Sequence, residues 1–78
     1  MAKKGSSSSD GSVYKVIELV GTSSKGFADA AQNAVSAASK TLKDIRVAEV
    51  TKLDIKVEKG KMVFRAKLKL SFKYHQDM

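Results

Sequence analysis

Four cations, Arg65, Lys67, Lys69 and Lys73, stand on alternate residues near the end of the chain, with Ser71 completing the row. Residues two apart leave the same face of a strand. A basic row of this kind can hold phosphate groups, an acidic partner or carboxylates of its own assembly. The carboxylates within reach of such a row are Glu18, Glu49, Asp54 and Glu58. Calcium takes roughly six to eight oxygen ligands, so these four could serve it only if gathered across subunits, and the surplus of lysines opposes that. Glu18 and Glu49 could form a carboxylate pair, yet one chain supplies no pocket for them. The chain has no cysteine and a single histidine, His75, in its polar end. Neither a Ser-His-Asp nor a Cys-His set can be assembled, so the sequence is that of a binding or storage protein rather than an enzyme.

A second stretch has the outline of a phosphate loop. Gly21 to Gly26 reads GTSSKG, with two glycines at the right separation before a helical pattern. The Lys-Ser/Thr pair that would grip the phosphates and magnesium is missing, because Phe27 and Ala28 follow the second glycine. Helix entry is the better reading, with Ser24 or Gly26 as N-cap and Asp29 in the first turn, where the helix dipole favours a carboxylate.

The basic row belongs to a strand. Met62, Phe64, Ala66, Leu68, Leu70, Phe72 and Tyr74 occupy the intervening positions, a period of two that fits a half-buried strand and no helix. Val13 to Val20, VYKVIELV, is a strand of weaker alternation: Val13, Ile17 and Leu19 share one face, Val16 and Val20 the other. Apolar residues on both faces call for cover on both sides. Phe27 to about Lys43 is helical, with Phe27, Ala30, Ala31, Ala34, Val35, Ala38 and Leu42 on one stripe. Between Asp44 and Glu58 two apolar series, Ala48–Val50 and Leu53–Ile55–Val57, are out of phase. A β-bulge at Thr51–Lys52 restores one apolar face toward the helix and puts Val47, Glu49, Lys52, Asp54 and Lys56 outside. Lys59–Gly60 is a hairpin turn. It sets Val57 against Met62, Ile55 against Phe64 and Asp54 against Arg65.

These elements predict an α+β fold: a β-α-β-β subunit whose three-stranded antiparallel sheet has its third strand in the centre and one helix as cover. Residues 1–12 are predicted to be a disordered Ser/Gly-rich tail, 13–74 the domain and 75–78 a polar end. Seventy-eight residues make one small domain, marginal without disulfides, metal or partners. With no cysteine, oligomerisation is the remaining device. The net charge of +7 is spread over the tail and the strands rather than gathered on one helix. No apolar run approaches the roughly 20 residues of a membrane span. The start, MAKKGSSSSDGS, lacks the apolar core of a signal peptide, so a cytoplasmic protein is expected.

VYKVIELVGTSSK, the helical AAQNAV, the strand IRVAEV and the closing LKLSF closely resemble the dodecins over about Val13 to Tyr74. The resemblance implies strand-helix-strand-strand subunits, a hollow dodecamer and flavin binding (FMN or riboflavin). It breaks at the implied flavin site. The stacking tryptophan of the second strand corresponds to Val47, and no tryptophan occurs anywhere in the chain. The glutamine that hydrogen-bonds the ring edge corresponds to Arg65, so both ligand-binding positions depart from the family pattern, with Glu49 and Lys52 as supporting or intersubunit residues. Two readings follow from the resemblance. In one the cage binds or stores a flavin or another flat anionic metabolite with weakened flavin affinity. In the other it is flavin-free and calcium-associated. Nucleic-acid binding through the basic row is a third; the row lacks aromatics for base stacking, and pairing with Glu18, Glu49 and Asp54 across subunits explains it at least as well.

Overall fold

The computed structural model describes residues 12–74. Residues 1–11 of the predicted tail, and the polar end 75–78 with His75, lie outside the described residues. Within them the chain runs β1 (Tyr14–Ser23), α1 (Phe27–Ser39), β2 (Ile45–Glu58) and β3 (Lys61–Lys73). The strands form one sheet in the order β1-β3-β2, antiparallel at both pairings. The most regularly alternating strand is therefore central, as expected for the element with a neighbour on each side.

The β2–β3 hairpin turns at Lys59 (φ 50) and Gly60 (φ 78). Two successive positive φ angles match the right-handed twist of the flanking strands. Val57 then pairs with Met62, Ile55 with Phe64 and Asp54 with Arg65, the expected register. Between Val50–Leu68 and Lys52–Lys67 the register shifts, leaving Thr51 as the extra residue of the bulge. Its hydroxyl donates to the Lys67 carbonyl at 3.2 Å, satisfying an acceptor beside the disrupted ladder. A second shift, at Arg46 between Ile45 and Val47, has no counterpart in the sequence reading.

Two boundaries differ from expectation. β1 does not end at Val20 but continues through Gly21, Thr22 and Ser23, which pair with Ala66, Arg65 and Phe64. Gly21 is buried in the strand where α1 crosses it. A Cβ there would lie 2.0 Å from the Ala30 carbonyl oxygen. The glycine is required by close approach of backbone to backbone, not by a turn. The phosphate-loop outline dissolves accordingly, because its first glycine is a strand residue. Gly26 is the N-cap and makes no side-chain cap bond; Ser23 donates instead to Asp29 in the first helical turn at 2.6 Å. The helix also stops at Ser39, short of Lys43. The N–H groups of Thr41 and Leu42 both reach the Ala38 carbonyl, and Asp44 turns the chain into β2 with φ 60.

The core is small. Ala30, Ala34 and Ala38 of α1 lie on Ala66, Leu68 and Leu70 of β3, with Ile17, Leu19, Val35, Leu42 and Ile45 packed around them. Leu68 and Leu70 are the large side chains that are fully buried. Phe27 meets Phe64 edge to face, centroids 5.1 Å apart, closing one end. A helix of 13 residues is about 20 Å long and a strand of 14 about 46 Å. The helix therefore lies over β1 and β3 and leaves most of β2 beyond its reach. Ala48, Val50, Leu53, Ile55 and Val57 do share the helix-side face, as predicted, but α1 does not bury them. Val50, Leu53, Ile55 and Val57 remain between 43% and 68% exposed.

Candidate functional site

The opposite face of the sheet carries every charged residue singled out in β2 and β3. Cross-strand register orders it into rows, since directly paired residues share a face. Val16, Ser71 and Val47 form one row; Glu18, Lys69 and Glu49 the next; then Val20, Lys67 and Lys52; then Thr22, Arg65 and Asp54. The bulge at Thr51 keeps Lys52 and Asp54 in phase with Val47 and Glu49.

Val47 and Arg65 thus lie on one face, as predicted, but a single subunit does not bring them together. Ser71, opposite Val47, is six residues from Arg65 on β3, about 20 Å along the strand. The expectation of one shared site can be met only by residues of different subunits. Val47 is 56% exposed and projects from an apolar spot made with Val16. Tyr14, opposite Lys73, lies one row further on and is half exposed. Among the described residues it is the one aromatic on this face. The signal for it was the phase of the first strand, which places Tyr14 with Val16 and Val20.

Arg65 is committed to Asp54. Its Nε donates to Oδ1 at 2.6 Å and its Nη2 to Oδ2 at 2.8 Å, a bidentate fork. Hydrogen bonding from Arg65 holds the Asp54 carboxyl below its usual range against a smaller desolvation effect, helped by the charges of Arg65 and Lys52. The same bond raises the guanidinium. The rest of the basic row is partly neutralised within the subunit: Lys67 reaches Glu18 at 3.8 Å, and Lys69 stands between Glu18 and Glu49. Lys56 pairs with Glu58 at 3.4 Å. Asp54 thus meets Arg65 inside the hairpin, as the turn predicted, and Glu18 meets Lys67 within the subunit, where pairing across subunits was the expected explanation. Among the described residues no group of three or more metal-ligating side chains is gathered.

Two hollows adjoin these features. One of about 220 Å³ on the charged face is lined by Val20, Lys52, Asp54, Arg65 and Lys67. One of about 420 Å³ on the helix side lies where β2 leaves α1, lined by Ala31, Val35, Ala48 and Val50 among others. The second is apolar, as a surface awaiting cover would be.

Residues 13–75 match the family model described as Dodecin. A calcium dodecin of Mycobacterium tuberculosis is 48% identical over 63 residues, which span 80% of this chain and 89% of that protein. Its crystal structure, described as having a novel calcium-binding site, aligns with a TM-score of 0.77 at 43% identity, covering 85% of this chain and 96% of that one. Dodecin from Streptomyces coelicolor aligns with a TM-score of 0.82 at 36% identity, over 87% and 99% of the two chains. The tt0972 protein of Thermus thermophilus gives 0.78 at 32% identity, over 86% and 100%. The strand order, the alanine-faced helix and the matched span from the first strand past the third lead to one assignment: the chain belongs to the dodecin family.

Proposed function

We propose that this chain is a non-enzymatic subunit of a hollow homo-dodecamer that binds or stores a flat anionic metabolite and whose affinity for flavin is weak. Assembly is supported by the uncovered apolar surface. Val50, Leu53, Ile55, Val57 and Met62 on one side of the sheet, and Val16, Val20 and Val47 on the other, are each more than two-fifths exposed. Burying them against neighbouring copies supplies the core that one short helix cannot.

The weak flavin affinity rests on one observation, the bidentate Arg65–Asp54 pair. The position that offers a ring edge an amide in flavin-binding dodecins here carries a guanidinium already held by a carboxylate. Valine at position 47 removes the stacking platform as well, and a stacked ring is worth about 1–3 kcal/mol, roughly 5–150-fold in affinity. The residues present therefore fit a flavin poorly. Titration of the assembled protein with riboflavin or FMN, followed by quenching of flavin fluorescence, tests this. Wild type binds weakly, Val47→Trp gains stacking, and Val47→Trp with Arg65→Gln gains more. Submicromolar binding by wild type overturns the reading.

The 48% identical relative named a calcium dodecin favours a second reading, a flavin-free cage that binds calcium. Glu18 and Glu49 flank Lys69 within one subunit, so a calcium site has to draw oxygens from further copies. A calcium-dependent rise in melting temperature, reversed by chelator and absent in Glu49→Gln, marks this reading.

A further inference from the structure

The bulge at Thr51 has an electrostatic consequence: it brings Lys52 directly opposite Lys67 on the charged face. Side chains so paired have Cβ atoms about 4.5–5.5 Å apart, and like charges in this relation repel. A one-residue change of phase would have put Thr51 there instead. Lys67 has a loose partner in Glu18 at 3.8 Å. Lys52 has no ion-pair partner within 4.0 Å among the described residues, although its charge is felt at Asp54. Both lysines open onto the hollow of about 220 Å³, whose remaining wall is Val20 and the Arg65–Asp54 fork. Asp54 occupies two donors of Arg65, leaving three of its five N–H groups for other acceptors.

From this arrangement we infer an anion site for a phosphate group, a phosphomonoester or free phosphate, held between Lys52 and Lys67. A dianion between two ammonium groups replaces their repulsion by two charge-assisted hydrogen bonds. The hollow is smaller than the roughly 300–1,000 Å³ of drug-sized sites, as a phosphate-sized ligand requires. A carboxylate from another copy is the competing occupant, and all but one of those among the described residues are already engaged. Asp29, Asp54, Glu58 and Glu18 have partners and Asp44 is engaged; Glu49, opposite Lys69 but with no ion pair within 4.0 Å, is the one described carboxylate left. Every further copy brings the same described set, with Glu49 the one carboxylate to compete for the hollow. The inference rests on the chain's role as a binding protein, but requires neither flavin nor calcium.

The test uses the full chain in its native assembly, free of flavin and calcium. Inorganic phosphate and, separately, glycerol phosphate are titrated by calorimetry and by thermal shift, with sodium chloride at matched ionic strength as the screening control. Binding by both probes, with a thermal shift that chloride does not reproduce, is the expected result. Response to free phosphate alone narrows the ligand to the inorganic ion, and response to the ester alone narrows it to phosphomonoesters. Lys52→Gln and Lys67→Gln should each weaken binding about tenfold or more, as loss of a charge-assisted bond does. Lys56→Gln, paired with Glu58 beyond the hollow, should leave it unchanged. Lys52→Gln retains the Lys67–Glu18 pair and keeps the test valid if Lys67→Gln fails to fold. The inference is overturned if chloride shifts the melt as much as phosphate does. Retained binding in Lys52→Gln overturns it equally, as does loss of the oligomer in that variant with no phosphate response in wild type. Because flavin and calcium are absent throughout, failure here leaves the flavin titration untouched.

Discussion

Gly21→Ala should be among the most damaging single-methyl additions available in this chain. The new Cβ would sit 2.0 Å from the Ala30 carbonyl oxygen and 2.9 Å from the Ala34 Cβ. The first of these is backbone and cannot rotate away, so α1 and β1 must separate by about 1 Å to reach a tolerable contact. A gap of that size forfeits roughly a quarter to a half of each dispersion contact it opens. Those contacts are the core itself, Ala30, Ala34 and Ala38 against Ala66, Leu68 and Leu70. Overpacking costs typically about 1–3 kcal/mol, and a blocked backbone places this case near the top of the range. At roughly 4–8 °C per kcal/mol for a domain of this size, the melting temperature should fall by about 10–25 °C. Gly26→Ala is the control: a Cβ there meets nothing within 4 Å, and φ 162 is extended backbone. It should cost under about 1 kcal/mol, an N-cap preference only. Circular dichroism melts of the three proteins at equal concentration decide the matter. A Gly21→Ala protein melting within a few degrees of wild type, or no worse than Gly26→Ala, refutes the close-approach argument.

Two further predictions concern the interior and the fork. Leu68→Ala should cost about 2–5 kcal/mol, because Leu68 is 1% exposed and its alanine neighbours cannot collapse into the void; a loss below about 1 kcal/mol in denaturant melts would show a looser core. Asp54 has its carboxyl held below the ordinary value of 3.8. Its contribution to stability is thus fully present above that value and is lost as pH falls through the lower folded value. Asp54→Asn should therefore melt lower than wild type at neutral pH and approach it below about pH 4, whereas an unchanged gap across that range would contradict the linkage.

How far the sequence could be read depended on whether local chemistry or distant geometry set each feature. The β3 alternation, the phase slip at Thr51 and the Lys59–Gly60 turn are local, and they placed Val47, Glu49, Lys52, Asp54 and Arg65 on one face in the right register. The end of β1 was misread because Gly21 looks like a terminator, while its actual partner is the backbone of Ala30, nine residues on in sequence but in contact across the fold. The helix end at Ser39 depends on bonds to the Ala38 carbonyl that the continuing apolar stripe to Leu42 conceals. The Arg46 shift leaves no mark, since Ile45 and Val47 are apolar residues that suit either face. Sharing a face was taken for sharing a site, although the hairpin register already puts roughly 20 Å between Val47 and Arg65; whether another subunit brings the two positions together was not legible. Nor was the bareness of β2, because cover follows from the relative lengths of helix and strand rather than from composition.

The central claim is that this subunit completes its core by assembly. Mass measurement by light scattering on the eluting peak after gel filtration, at micromolar concentration and moderate salt, tests it most directly. A single species of about twelve times the 8.4 kDa subunit mass is the predicted result. A stable, folded monomer at that concentration, with Val50, Leu53, Ile55 and Val57 left in water, would contradict it.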